Sequence, residues 1–581
     1  MFDKSTKDVQ GVLGAHLTRR SLLRRAIATG ISVPVVAGLV AACGGSDNST
    51  EQATQASTTA STSSSGASTP GSSSSPSSTS GAGTPPATAA SGSGSTGKPI
   101  DKVVFLQGAE VRFFDPTLRF SSTDANANRN IYDPLVAFDS DFNLIPALAV
   151  KWESVDNTTW QFKLRENVKF HNGEPFNADT VVAWFTRLQK IPDLLPGQRS
   201  SIDQLPLVDH IEKVDDLTVN FITKAPLPTL LRRLTTYYSL IVPSKLFEDE
   251  GQDALLKKGV GTGPYKFVEW VKDDHLTLKA NPDYWGDKPL VQELELRPVT
   301  EPSSRVASLL AGEAQVIEAV PTSSIDQINS NKATEIRSTR EETRIYWCQW
   351  NGLGNEYLKK LEVRQALNYA VDKKTIIDTI LAGHATQIGS CVSTKCFGYS
   401  EQPLYEYDPK KAKDLLAQAG YADGFTVSIQ AALGRSAGDT EIVQSIIGYL
   451  KDVGVTLKLD QVDFADSLTL LAQHKVEGLT WGGKTIPALD ADYMFNELLP
   501  EKQFGWLFPL QGEAADTFKK EQVELDEQKR AEMCADIQKW FHDQAGALFL
   551  WQADLLYGTS KKVNWKPRGD GLVLGTEMSG A

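Results

Sequence analysis

Apolar and polar residues along positions 98–581 alternate with two different periods. The run "VVFLQ" (Val103–Gln107) is continuously apolar and predicts a buried strand. In "TWQFKLRENVKF", Trp160, Phe162 and Leu164 alternate with polar neighbours, the signature of a half-buried strand running into a turn. Helical spacing follows: Asn177 is placed to cap a helix through Leu188, with Asp179 in its first turn. Val363, Leu367, Ala370, Val371, Ile376, Ile377 and Ile380 trace an apolar helical stripe, and a break near Asp372 divides it into two helices. Asp408-Pro409 reads as the N-cap and first position of another helix, ended by Gly420. The runs "FTVSIQ" and "VTLKLD" flank a helical segment over Asp439–Val453, a strand–helix–strand unit. The class predicted is α/β with mixed sheets, and no internal repeat is evident.

The first 97 residues follow neither period. Four arginines (Arg19, Arg20, Arg24, Arg25) precede an uncharged stretch from Ala26 to Ala42, the layout of an export signal. Gly30, Pro34 and Gly38 interrupt that stretch, which is short for a membrane-spanning helix. The string from Thr18 to Arg24 resembles a twin-arginine signal, and Val40-Ala41-Ala42-Cys43 resembles a lipobox, which makes Cys43 the expected lipidation site. Residues 44–97 contain no Val, Leu, Ile or aromatic side chain, so they have nothing to bury against the entropy of ordering. A signal over 1–42 and a lipidated tether over 43–97 are expected, the tether reaching roughly 40 Å as a flexible coil.

Charge and cysteine usage narrow the chemistry. The formal charge is −13, and six basic and two acidic residues lie in the first 42, so the remainder sits near −17. Such an acidic body argues against nucleic acid or anionic lipid as a partner. Besides Cys43 there are Cys348, Cys391, Cys396 and Cys534, with no paired metal-ligand spacing. Cys391 and Cys396 are near enough to close a small disulfide loop, or they are two buried thiols. The seven histidines are scattered, with no HExxH or G-x-S-x-G, and "GVGTGPY" lacks a Walker ending. Glu341-Glu342 is a candidate pair of glycosidase carboxylates, against which stands the rule that adjacent side chains point apart, and His384 near Cys391 is a thin basis for a metal. No enzymatic activity and no cofactor are expected.

Several stretches carry a resemblance. "LAVKWESVDNTTWQFKLRENVKFHNGEPFNADTVVAWF", "GTGPYKFVEW", "NPDYWG", "VRQALNYAVDKKTI" and "YDPKKAKDLLAQAGY" resemble, in the expected order, segments of the family 5 extracellular solute-binding proteins of ABC importers. The resemblance implies a two-lobed periplasmic-binding-protein-like fold with an extra subdomain. The first lobe is expected at 98–345 and 548–581, its subdomain at 146–257, and the second lobe at 346–547. It also implies capture of a peptide-like or other small solute by lobe closure, with permease and ATPase subunits as partners. A monomer, lipid-anchored at the outer face of a bacterial cytoplasmic membrane, is the form expected. An oligosaccharide or organic-anion receptor of the same fold, and a secreted hydrolase, are the alternatives.

The resemblance also suggests a site. Trp481, in "EGLTWGGK", stands where peptide-binding relatives carry a pocket tryptophan. Those relatives bind the peptide amine with an aspartate three residues on, where this chain has Lys484. An ammonium there repels an α-amine and favours a carboxylate, phosphate or polyhydroxy ligand, unless Asp490 or Asp492 takes the role. Trp347 and Trp350, near the expected crossing between lobes, and Trp551, near the return, are the aromatic candidates for stacking. Arg435, in "LGRSAGD", is a candidate for bidentate contact with an anion.

Overall fold

The computed structural model describes residues 97–118, 122–195, 200–339, 343–433 and 438–581. The leader, Cys43, the tether, Glu341, Glu342 and Arg435 lie outside the described residues. Two large sheets organise the chain. In spatial order the seven-stranded sheet comprises Thr334–Ser338, Leu556–Ser560, Val316–Ile317, Ile100–Gln107, Val291–Pro298, His275–Ala280 and Tyr265–Val271. The six-stranded sheet comprises Ala385–Gln387, Leu548–Ala553, Arg344–Trp350, Leu479–Thr485, Phe425–Ala431 and Val455–Gln461. Both mix parallel and antiparallel neighbours.

The apolar run beginning at Val103 is explained by covering on both faces. Val103 and Phe105 enter one core cluster, while Val104 and Leu106 enter another on the opposite side. A strand buried on both faces has no polar face to alternate with. The strand Thr159–Leu164 belongs to a separate antiparallel sheet with Ala149–Asp156, Thr218–Thr223 and Val208–Asp215. Helix Ala178–Leu194 packs on it, and Asn177 caps that helix by accepting from the Thr180 amide, a contact worth about 1 kcal/mol. The stripe around Leu367 divides into Leu361–Ala370 and Lys373–Thr379, with Asp372 capping the second helix. Asp408 caps Pro409–Gln418, and Gly420 beyond its end has φ +87°, a backbone that glycine adopts without strain.

The chain passes between the large sheets twice, from Ser338 to Arg344 and from Ala553 to Leu556. Because Leu548–Ala553 pairs with Arg344–Trp350, the return falls at Asp554–Leu555 rather than at residue 548. The outward strand likewise begins at Arg344. The crossings are tied together: the Thr339 amide donates to the Leu555 carbonyl at 3.1 Å, and the Leu555 amide donates to Thr339 Oγ1 at 3.1 Å. Farther out, helix Leu230–Leu234 of the first lobe meets helix Ala491–Glu497 of the second. There Arg233 pairs with Asp492, both buried, and Arg232 lies 3.8 Å from Asp490.

All four described cysteines are free and buried, so Cys391 and Cys396 form no disulfide in this structure. Each instead fills apolar volume in the second-lobe core. Among the described residues no helix is long and apolar enough to cross a membrane.

Candidate functional site

The strand Arg344–Trp350 is central to the site because it leaves the crossing directly. It pairs antiparallel with Leu479–Thr485 on one side and Leu548–Ala553 on the other. Its register against the latter shifts between Tyr346 and Trp347, and such an irregularity re-aims side chains at the end of a sheet. On the crossing side of that shift, Arg344 and Tyr346 face a cavity of about 700 Å³ including its open mouth. Beyond it, Trp347 packs against Phe541 with centroids 6.1 Å apart, and Trp350 is fully buried.

The four tryptophans proposed from sequence therefore separate. All four belong to the second-lobe core, but only Trp481 and Trp551 also reach the cavity, which they line together with Tyr346. The Trp481 ring lies 5.9 Å from Tyr346 at 31° and 6.5 Å from Trp551 in an edge-on arrangement. These three rings form a continuous wall from three adjacent strands. Ala319, Val320 and Thr322 of the first lobe contribute the facing side. The polar edge is His384, whose Nδ1 lies 3.4 Å from Asp554 Oδ2, and the Arg344 guanidinium is 5.9 Å from the Tyr346 ring.

Lys484 does not share this wall. Three residues separate it from Trp481, and in a strand an odd separation puts two side chains on opposite faces. Its Nζ lies 2.6 Å from Glu497 Oε2 and 4.5 Å from the Phe504 ring centre, with both partners of the ion pair 19% exposed. The ammonium is thus neutralised by the protein. Asp490 caps helix Ala491–Glu497 and takes both terminal nitrogens of Arg530, while Asp492 takes Arg233. Both aspartates are already committed to buried arginines.

Arg344, Tyr346 and Asp554 escaped the sequence reading, and His384 entered it only as a thin metal candidate. Arg344 and Tyr346 alternate on the strand that the tryptophans drew notice to, so period-two spacing from the crossing was the available signal. His384 and Asp554 meet across 170 residues, and nothing local marks them. Among the described residues no group of three or more His, Cys, Asp and Glu is placed to hold a metal ion.

A second, shallower recess, of about 440 Å³ including its open mouth, lies beside the first-lobe helix Ser122–Ile131. Arg129, Phe138, Tyr237 and Arg568 line it with Thr343 at the crossing and Thr485 on the second-lobe sheet. Two cavities near the crossing end of one strand pair, each lined by residues of both lobes, fit a two-lobed receptor for small solutes.

The comparisons with known proteins agree with that class. The family described as bacterial extracellular solute-binding proteins, family 5, middle region, matches residues 143–506. The chain belongs to that family. It is 26% identical over 472 residues to the glutathione-binding protein GsiB of Pectobacterium atrosepticum, covering 79% of this chain and 90% of that protein. It is 27% identical over 500 residues to the dipeptide-binding protein of Escherichia coli, covering 79% and 91%. The structure of DppA from Helicobacter pylori in complex with the peptide STSA superposes with a TM-score of 0.73 at 26% identity, covering 83% of this chain and 98% of that one. The protein is accordingly a solute-binding component of an ABC importer.

Proposed function

We propose that the protein is tethered outside the cell membrane through Cys43 and captures a peptide-like solute between its lobes without chemical turnover. The observation that carries the reading is the wall of Tyr346, Trp481 and Trp551 facing Ala319–Thr322 across the lobe boundary. A solute that touches both sides binds the closed arrangement better than the open one, and that difference drives closure. Flat rings suit apolar side chains, and the His384–Asp554 edge supplies polar contact. The relatives named for dipeptide and glutathione support short peptides as the solute class.

The carboxylate, phosphate or polyhydroxy preference first argued from Lys484 loses its basis, because Glu497 occupies that ammonium. An oligosaccharide remains a second reading, favoured by the same aromatic wall, since sugars also stack on flat rings.

A thermal-shift screen of the chain against short peptides, oligosaccharides, organic anions and nickel tests the proposal. A solute at a hundred times its Kd adds about 2.7 kcal/mol if it binds only the folded state. Stabilisation by short peptides that is lost in W481A supports the reading. Stabilisation by oligosaccharides alone transfers the site to the second reading, and a solute effect untouched by W481A removes the aromatic wall from the site.

A further inference from the structure

The strand Leu479–Thr485 carries two glycines, Gly482 and Gly483, between Trp481 and Lys484. Glycine weakens a strand interior, and one kept there marks a bulge or a close approach. Neither has a positive φ, so turn geometry does not explain them. Their surroundings differ. At Gly482, on the face it shares with Lys484, no atom of the described residues lies within 4 Å of where a Cβ would stand. At Gly483, a Cβ falls 3.0 Å from Tyr346 Cε1, 3.2 Å from its Cδ1 and 3.1 Å from Arg344 Cδ. Carbon atoms in contact rest at about 3.5–4.0 Å. Any side chain at position 483 therefore displaces both neighbours.

Both neighbours belong to the cleft. Gly483 is the cross-strand partner of Tyr346, and Arg344 is its diagonal neighbour on the same face. Trp481 and Thr485 share that face, one on either side of Gly483. Trp481 lines the aromatic cavity and Thr485 the recess. The bare backbone of Gly483, itself exposed, is the shelf on which the Tyr346 ring lies, 5.9 Å from Trp481 at 31°. On its other flank Tyr346 pairs with Trp551, which lines the same cavity. A ring lifted off Gly483 moves outward or toward Trp551, and either way it enters the cavity.

We propose that Gly483 sets the size of the solute side chain that the aromatic wall admits. With no side chain at 483 the Tyr346 ring lies over the strand, and the cavity keeps the width that a bulky apolar or aromatic group needs. A larger residue there tips Tyr346 into the cavity and leaves room for a small group only. The inference rests on the reading of this wall as the solute site. It adds which members of the peptide class the site prefers, those with a large flat side chain.

The full chain and its G483V, G483A and G482V variants are titrated calorimetrically with alanyl-alanine and alanyl-tryptophan. The wild type is expected to prefer alanyl-tryptophan. G483V is expected to weaken that peptide about tenfold, as overfilling a packed site does, and alanyl-alanine by no more than about twofold. G483A, which asks the ring to give by only about half an ångström, moves the same way by about threefold. G482V, whose side chain enters open space, changes neither. In a Y346A background the ring is gone, so adding G483V no longer discriminates between the peptides. A wild type that prefers alanyl-alanine, equal weakening of both peptides by G483V, or a size effect of G483V that persists in Y346A overturns the proposal. If G483V does not fold, G483A decides by the same criteria. If neither peptide binds the wild type, the solute reading fails separately, and Gly483 is judged on crystal structures of the solute-free wild type and G483A. A Tyr346 ring shifted toward the cavity in the variant supports the proposal, and a ring that keeps its place over the strand overturns it.

Discussion

Replacing Arg233 by Met removes one member of the buried pair that joins the lobes. Asp492 then loses Arg233 while Asp490 remains committed to Arg530. Leaving one charge of a buried pair without its partner costs about 3–5 kcal/mol as long as it stays buried. Here the chain has an escape, because separation of the lobes admits water to Asp492. The penalty therefore falls on the closed arrangement alone. At 3 kcal/mol the closed-to-open ratio drops about 150-fold. Spin labels at Val268 of the first lobe and Val523 of the second report that ratio, since both positions are exposed while the four described cysteines are buried. Pulsed electron resonance is expected to show a longer interlabel distance in R233M without solute, and solute affinity to weaken by up to the same factor. Unchanged distances and affinity, together with a lower melting temperature, would refute the reasoning. The pair would then belong to one rigid block and its loss would act on folding rather than on closure.

Other consequences are accessible by simpler means. Burial holds His171 down to about 4, with its Nε2 2.9 Å from the Gly263 carbonyl. The unfolded chain takes up that proton near pH 6.5, so between pH 6.5 and 4 the unfolded state binds more protons and stability falls as the pH drops. The loss approaches about 3 kcal/mol by pH 4, and a denaturant series should show H171Q lacking that part of the slope; an identical slope in the variant would assign it elsewhere. W551A is expected to destabilise the protein by about 3–5 kcal/mol, because the ring is 1% exposed; a loss below 1 kcal/mol in denaturant unfolding would contradict that packing. W481F, which keeps a ring in place, should weaken solute affinity by no more than about tenfold in a binding titration, and abolished binding would mean that the indole itself is read. Reductant should leave the melting temperature unchanged, whereas a fall of several degrees would reveal a disulfide between Cys391 and Cys396.

The elements were more legible than the contacts between them. Asn177, Asp372 and Asp408 announce helix starts because a cap is a local interaction with its own third residue. The continuous apolar run at Val103 needed only two covered faces to explain it. Trp347 and Trp481 look equivalent in sequence, yet the pleat puts Trp347 on the face opposite Tyr346 and Trp481, and only Trp481 reaches the cavity. Lys484 misled for a related reason: counting three residues from Trp481 ignores the pleat, and Glu497 lies on a helix beyond the strand. Arg129 sits among Asn and Asp in "STDANANRNI", a polar composition that reads as solvated surface. The C-terminal segment packs against that helix, with Asn130 Nδ2 2.9 Å from the Val573 carbonyl, and Arg129 is left half-buried.

The free cysteines set the terms on which this chain can be made. Burial pushes the Cys391 thiol up to about 12 and raises those of Cys348, Cys396 and Cys534 as well. Thiols held in that form are poor nucleophiles and slow partners in oxidation. The described body therefore needs no oxidant, isomerase or glutathione gradient to reach its native state, and it gains nothing from an oxidising exterior. A reducing compartment is therefore as good a place for this body to fold as an oxidising one.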